Sequence, residues 1–184
     1  MTRSAADRRE RELLLGEWAC LGILYGAPVH GFAVAASLKP NGDVGRVWSL
    51  SRALTYRSLD QLAARGLVHA VGEERGIAGG TRTILAATRS GRSQLREWLA
   101  TPVEHLRDLR SELLLKLVIA DRWGIDVTPM IQRQRAHVAA LAAALADQTG
   151  ADDADVSLHR VDVVTLWRSE TSQAALRFLD RLQA

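Results

Sequence analysis

The stretch Ser51-Arg52-Ala53-Leu54-Thr55-Tyr56-Arg57 brings hydroxyl, phenol and guanidinium donors into seven residues. Donors of this kind suit a polyanion. A guanidinium can meet the O6 and N7 of guanine with two parallel hydrogen bonds, and a hydroxyl can donate to a phosphate oxygen. Arg52 or Arg57 would then read a base, and Ser51 or Thr55 would hold the backbone, if the segment is a short exposed helix presenting its N-terminal end. Tyr56 stands among these donors, and Arg75 and Arg82 flank a stretch containing Gly76, Gly79 and Gly80. Taken as an isolated helix, the first segment more commonly proves a solvated face with ordinary charges. The basic hairpin beside it is what favours a nucleic acid.

Other side chains with chemical potential point elsewhere or nowhere. None of the five histidines (His30, His69, His105, His137, His159) stands at zinc-site spacing from another ligand-type residue, so no metal is expected. Cys20 lies on an apolar helix and reads as a small core residue rather than a redox sensor. A Gly-rich phosphate loop, a nucleophile elbow and a convincing carboxylate pair are all missing, so neither an enzyme nor a cofactor is expected. Five tryptophans against two tyrosines and two phenylalanines is an unusual ratio. Packing is the ordinary use of such rings. The alternative is that Trp18 and Trp98 line a cavity between domains or subunits, where a flat or cationic effector would stack.

The elements that must position these residues follow from periodicity. A first helix is expected from about Arg9 to Tyr25, its apolar face made by Leu13, Leu14, Leu21 and Leu24, with Gly26 and Pro28 closing it. A second, shorter helix starts near His30-Gly31, and Pro40-Asn41-Gly42-Asp43 reads as a turn. After an extended piece over Val44 to Leu50, Ser51 caps a third helix that buries Leu54, Leu59 and Leu62 and stops at Arg65-Gly66. Leu67 to Val71 and Arg82 to Ala86 read as two strands of a hairpin with a long polar tip. Three helices and a hairpin in this order read as a winged helix or, equally on order alone, as a generic α+β fragment.

From Thr88 onward the pattern is helical throughout. One helix carries Leu95, Trp98 and Leu99 and ends before Pro102. The next repeats leucine from Leu106 to Leu117, and the one after it spaces Ile131, Gln134, Val138, Leu141 and Leu145 by threes and fours. Gly150 with Asp152-Asp153-Ala154-Asp155 reads as a linker and helix start. The last helix aligns Val164, Trp167, Thr171, Ala175, Phe178 and Leu182 on one seam, with Trp167 assigned to a dimer interface. The fold expected is mainly α with a small β-hairpin wing. Residues 9–88 form a winged helix-turn-helix DNA-binding domain and residues 89–184 a helical dimerisation domain.

Bulk properties agree with this and exclude several classes. The 184 residues are 47% hydrophobic and 24% charged, an ordinary globular composition long enough to bury a core. One cysteine rules out an internal disulfide, and a reducing, cytoplasmic setting is the default. No apolar run of about 18 residues suggests a membrane span, and the first dozen residues, charged in both signs, do not read as a secretory leader. The formal net charge is +3, but within residues 44–92 eight Lys/Arg face three Asp/Glu, and 22 of the 24 basic residues are arginine. By itself that charge is a weak pointer to nucleic acid.

The order of these landmarks resembles the PadR-like transcriptional regulators. Leu24-Tyr25-Gly26-Ala27-Pro28-Val29-His30-Gly31-Phe32 is similar to the family's junction of helices one and two. Leu50-Ser51 through Tyr56, Leu59, Leu62 and Gly66-Leu67-Val68 resembles its recognition helix and strand entry. Gly79-Gly80-Thr81-Arg82 through Thr88-Arg89-Ser90-Gly91-Arg92 resembles the second wing strand and linking helix, and Arg110-Ser111-Glu112-Leu113 through Leu117 the opening of the C-terminal domain. The resemblance covers most of residues 15–120 and lies in order and spacing. It implies a homodimer whose C-terminal helices (Val164, Trp167, Thr171, Phe178 and Leu182) pack across a two-fold axis. It further implies a palindromic operator and repression, relieved in some members by a small aromatic or hydrophobic ligand. It also makes His30 a structural residue. Two departures stand out. Arg52-Ala53 and Arg57 occupy positions where the family often has Pro-Gly and proline, and the wing has Arg82 with Thr83-Ile84-Leu85 rather than several basic residues and tyrosines. The alternative is a protein-interaction module that keeps the fold without binding DNA.

Overall fold

A computed structural model describes residues 13–75, 81–149 and 162–183. Helix α1 (Leu15–Leu24) is the central post, with every residue from Gly16 to Leu24 buried. Its first turn is closed by Glu17, whose carboxylate accepts from the Leu14 backbone at 2.9 Å. That geometry turns the Leu14 side chain out, so it is 72% exposed and does not share the apolar face expected of it. The expected start of this helix near Arg9 lies outside the described residues.

Strand β1 (Val29–His30) leads into α2 (Gly31–Ser37), where the His30 ring serves as the cap: its Nδ1 accepts from the Ala33 backbone at 3.0 Å. Residues 44–50 are not extended as expected. Val47 and Trp48 both bond back to the Val44 carbonyl, and Gly45 donates to Ser37, so the segment winds into turns. Helix α3 (Arg52–Ala64) follows, capped by Ser51, whose Oγ accepts from Leu54 at 3.2 Å. Gly66, at φ +67°, ends it with the left-handed turn that glycine adopts without strain.

Strands β2 (Val68–Arg75) and β3 (Thr81–Ala87) form the hairpin, with a bulge between Ala70 and Gly72. β3 is the middle strand, because β1 pairs with its other edge, Val29 opposite Leu85 and His30 opposite Ile84. Three helices and a three-stranded antiparallel sheet make a winged helix-turn-helix. Helix α4 (Arg89–Ala100) is tied to it by Thr88, which caps α4 through Gly91 and donates to the Gly66 carbonyl.

The leucine-rich stretch expected as one helix is three pieces. A 3-10 turn (Leu106–Asp108) and a π-helical turn (Leu109–Leu113) precede α5 (Leu114–Trp123), which Gly124 ends at φ +60°. Helices α6 (Thr128–Thr149) and α7 (Val163–Arg181) pack together and are joined by the ion pair of Arg135 with Asp180.

Among the described residues, two apolar clusters hold the fold together. The larger takes Leu21 and Leu24 from α1, Leu59 and Leu62 from α3, Leu95 and Leu99 from α4, and Leu115 and Ile119 from α5. It therefore draws on both sides of the boundary at residues 88 and 89. Ile119 and Trp123, four apart on α5, fit where Gly22 of α1 and Gly26, two residues past its end, carry no side chain, and the Trp123 indole donates to the Gly22 carbonyl at 2.7 Å. The smaller cluster joins Val103 and Leu113 to Met130, Ile131, Val138 and Leu179. There Gln134 is buried because its amide bonds both ways to the Val103 backbone, donating at 3.1 Å and accepting at 2.7 Å.

Candidate nucleic-acid interface

Helix α3 buries Thr55, Leu59 and Leu62, spaced four and three apart, which is one stripe of a helix. That stripe replaces the expected set of Leu54, Leu59 and Leu62. Leu54 is 49% exposed, whereas Thr55 is fully buried and donates from Oγ1 to the Ser51 carbonyl at 3.0 Å. Thr55 therefore does not present its hydroxyl to a ligand. Ser51 is exposed; its oxygen accepts the cap bond from Leu54, which leaves its O–H able to donate to a phosphate. Also facing outward at the N-terminal end are Arg52, Ala53, Leu54, Tyr56 and Arg57, with Asp60 and Gln61 one turn on.

Two arginines of this surface, Arg52 and Arg82, are held over aromatic rings. The Arg52 guanidinium lies 5.7 Å from the centre of the Tyr56 ring, and that of Arg82, on β3, lies 5.9 Å from the centre of the Phe32 ring on α2. Such stacking orients a cation without neutralising it. Tyr56 lies against Gly31: a Cβ there would stand 3.0 Å from Tyr56 Cε1, so glycine is what lets α3 approach the start of α2. Arg52 and Tyr56 of α3 thus reach the start of α2 at Gly31, and the next residue, Phe32, bears Arg82 of β3. Arg75 closes β2 opposite Thr81, and Glu74 stands opposite Arg82. With Glu73 beside it, the described part of the wing carries as many carboxylates as guanidiniums.

Phe32 and the outward setting of Leu54 were missed by sequence reasoning. For Leu54 the signal was available, since spacings of five and three do not follow one helical stripe. For Phe32 it was not, because its partner lies fifty residues away across a strand only two residues long.

The paired tryptophans have a different place from the one expected. Trp18 and Trp98 are 8% and 9% exposed and stack face to face, with centroids 4.7 Å apart and planes 9° apart. At that separation no flat ligand fits between the two faces. Trp98 also donates to the Glu112 carboxylate at 3.0 Å, and Glu112 pairs at 2.8 Å with Lys116. The lysine is 1% exposed, donates to the Thr101 carbonyl and lies 4.9 Å from the Trp98 ring centre. Burial lowers the pKa of Lys116 and Glu112 opposes that shift. Burial pushes the Cys20 thiol up to about 12, against a lowering contact from Ser58, so this sulfur is inert near neutrality.

The C-terminal seam is open. Val164, Trp167, Phe178 and Leu182 are exposed on the single chain, Trp167 at 70%, and Thr171 is partly covered. Trp167, Thr171 and Phe178 wall a cavity of about 1070 Å³ between α7 and the segment from Glu104 to Leu114. A second space of about 570 Å³ continues it between α5 and Phe178 and Leu182. Among the described residues no group of three or more His, Cys, Asp or Glu is placed to hold a metal ion, and no helix is long and apolar enough to cross a membrane.

The fold and this surface define a winged-helix chain whose third helix exposes arginines, with an attached helical half. No family model matches it, and no curated protein does. Among solved structures it is similar to Bacillus subtilis PadR in complex with operator DNA, at 18% identity over 91% of this chain and 97% of that one, with a TM-score of 0.45. It is also similar to the Vibrio cholerae virulence activator AphA, at 20% identity over 91% and 90%, with a TM-score of 0.41. A PadR-like transcriptional regulator from Bacillus cereus is similar at 18% identity over 90% and 94%, with a TM-score of 0.38. At these identities and scores the likeness carries no functional argument, and the surface is read from its own geometry.

Proposed function

We propose that the chain is a homodimeric DNA-binding transcriptional regulator that represses by occupying a palindromic operator. The observation that carries this reading is that Tyr56, which bears Arg52, packs on Gly31 at the start of α2, while the next residue, Phe32, bears Arg82 of β3, so α2 adjoins both the first turn of α3 and the wing strand. In a winged helix-turn-helix that turn enters the major groove and the hairpin lies along the neighbouring backbone or minor groove. Arg57 and Arg52 take base edges or phosphates, Tyr56 supports Arg52, and Arg82 with Arg75 holds the backbone. Ser51 acts by capping the helix.

Dimerisation is supported by the row Val164, Trp167, Thr171, Phe178 and Leu182, a seam whose exposed tryptophan and phenylalanine a second copy would cover. Two recognition helices related by a two-fold axis then meet half-sites about one helical turn apart. Repression, and its relief by a small aromatic or hydrophobic effector, are what the family resemblance adds. The Trp18–Trp98 stack leaves no gap between its own faces for a flat effector.

Fluorescence anisotropy with labelled duplex from the DNA upstream of the chain's own gene tests this function. Binding at low salt that weakens steeply between about 50 and 200 mM salt is expected, because phosphate contacts release counterions. Absence of binding, or a flat salt response, would favour the interaction module.

A further inference from the structure

We infer that Leu54 is a specificity-determining residue, its side chain seated against the 5-methyl group of a thymine next to a guanine read by Arg57. This rests on the duplex-binding function above and names what one turn of the recognition helix reads.

Thr55, not Leu54, fills the core position of the first turn, so Leu54 stands on the outer side of α3 with half of its surface open to water. The adjacent Ala53 is exposed as well, which makes a small apolar step at the helix start. Arg57 follows Leu54 by three residues, and side chains at that spacing are neighbours on a helix. The outer surface therefore offers an apolar contact and a bidentate donor side by side. The major-groove edges of the four base pairs differ mainly in donors and acceptors, and the thymine methyl is their one apolar feature. A guanine beside it supplies the two acceptors that a guanidinium needs. The other large exposed side chains of this surface, Tyr56 and Phe32, already carry an arginine over their rings. The open surface of Leu54 is thus what remains to meet the bases.

Deoxyuridine tests this directly, because it keeps every hydrogen-bonding group of thymidine and lacks only the methyl. A duplex enriched by the wild-type chain from a randomised pool is resynthesised with each thymine of one half-site replaced in turn, and affinities are read by anisotropy. At one thymine adjacent to a guanine, the wild type should lose affinity about fourfold, the size of one buried methyl group. Leu54→Ala should bind the thymine and uracil duplexes equally, and its melting curve should overlay the wild type because the side chain lies outside the core. Equal wild-type affinity for every thymine and uracil pair would overturn the inference while leaving duplex binding intact. So would a methyl effect that persists in Leu54→Ala, or a Leu54→Ala variant that melts early. A wild-type chain that enriches no sequence and binds no duplex would overturn the duplex-binding function itself, and this inference with it.

Discussion

Thr55 and Arg57 sit two residues apart and have opposite surroundings, one sealed in the core and the other open to solvent. Their variants should separate accordingly. Arg57→Ala is expected to keep the wild-type melting temperature and to cost about 1–3 kcal/mol of duplex affinity if it reads a guanine bidentately. Thr55→Ala loses a buried hydroxyl and its bond to Ser51, so it should melt earlier by about 1 kcal/mol of stability. The folded fraction of that variant, titrated below its transition, should bind duplex as the wild type does. Cys20 offers a third check: with its thiol held near 12 and buried, it should resist thiol reagents at pH 8 in the native chain and react once denatured. Most of this residue-scale map was legible before the fold was known, since the donors cluster in seven residues. The inward and outward assignments were not, because Leu54 is the more apolar residue and only the spacing of four and three betrays Thr55.

At the scale of elements, the three helices, the hairpin and the capping residues Ser51 and Thr88 follow from local chemistry: a hydroxyl before a helix, a glycine after it, and strands split by glycines. Ser51→Ala should destabilise the chain by about 1 kcal/mol, read by thermal or urea melting, and it also removes one exposed hydroxyl from the start of α3. What sequence reasoning could not supply are the elements fixed by distant partners. β1 is two residues long and exists because β3 has a free edge. The turns over residues 44–50 are set by carbonyls of residues 37 to 44, and the irregular stretch before α5 brings Glu112 to Trp98 and Lys116. The glycines of α1 have an element-scale consequence too. Gly22→Val would push against Ile119 of α5, and such overpacking costs about 1–3 kcal/mol. Its melting temperature should fall while the outer surface of α3 is unchanged in sequence.

For the molecule as a whole, the helical half does not hang from the winged helix but shares its larger core. An ion pair adds to the contact: Arg122 of α5 bonds Asp43, which also accepts from Ser37. Partial burial raises the Asp43 pKa, but the Ser37 hydroxyl and Arg122 outweigh it and the carboxyl titrates below its ordinary value. Its contribution to stability is present above the ordinary carboxylate range and is lost as pH falls through the lowered pKa. Asp43→Asn should therefore flatten the acid limb of a stability–pH curve. The seam on α7 makes a separate claim. Phe178→Asp should yield monomers by light scattering, and a persistent dimer would place the interface elsewhere. The central claim, that the first turn of α3 and the wing bind duplex through their arginines, is tested most directly by salt titration. Duplex affinity is measured against salt for the wild type and for the triple variant Arg52→Ala, Arg57→Ala, Arg82→Ala. A steep log–log slope is expected in the wild type, shallower by about one for each arginine that had met a phosphate. A flat wild-type response, or the same slope and affinity in both proteins, would contradict it.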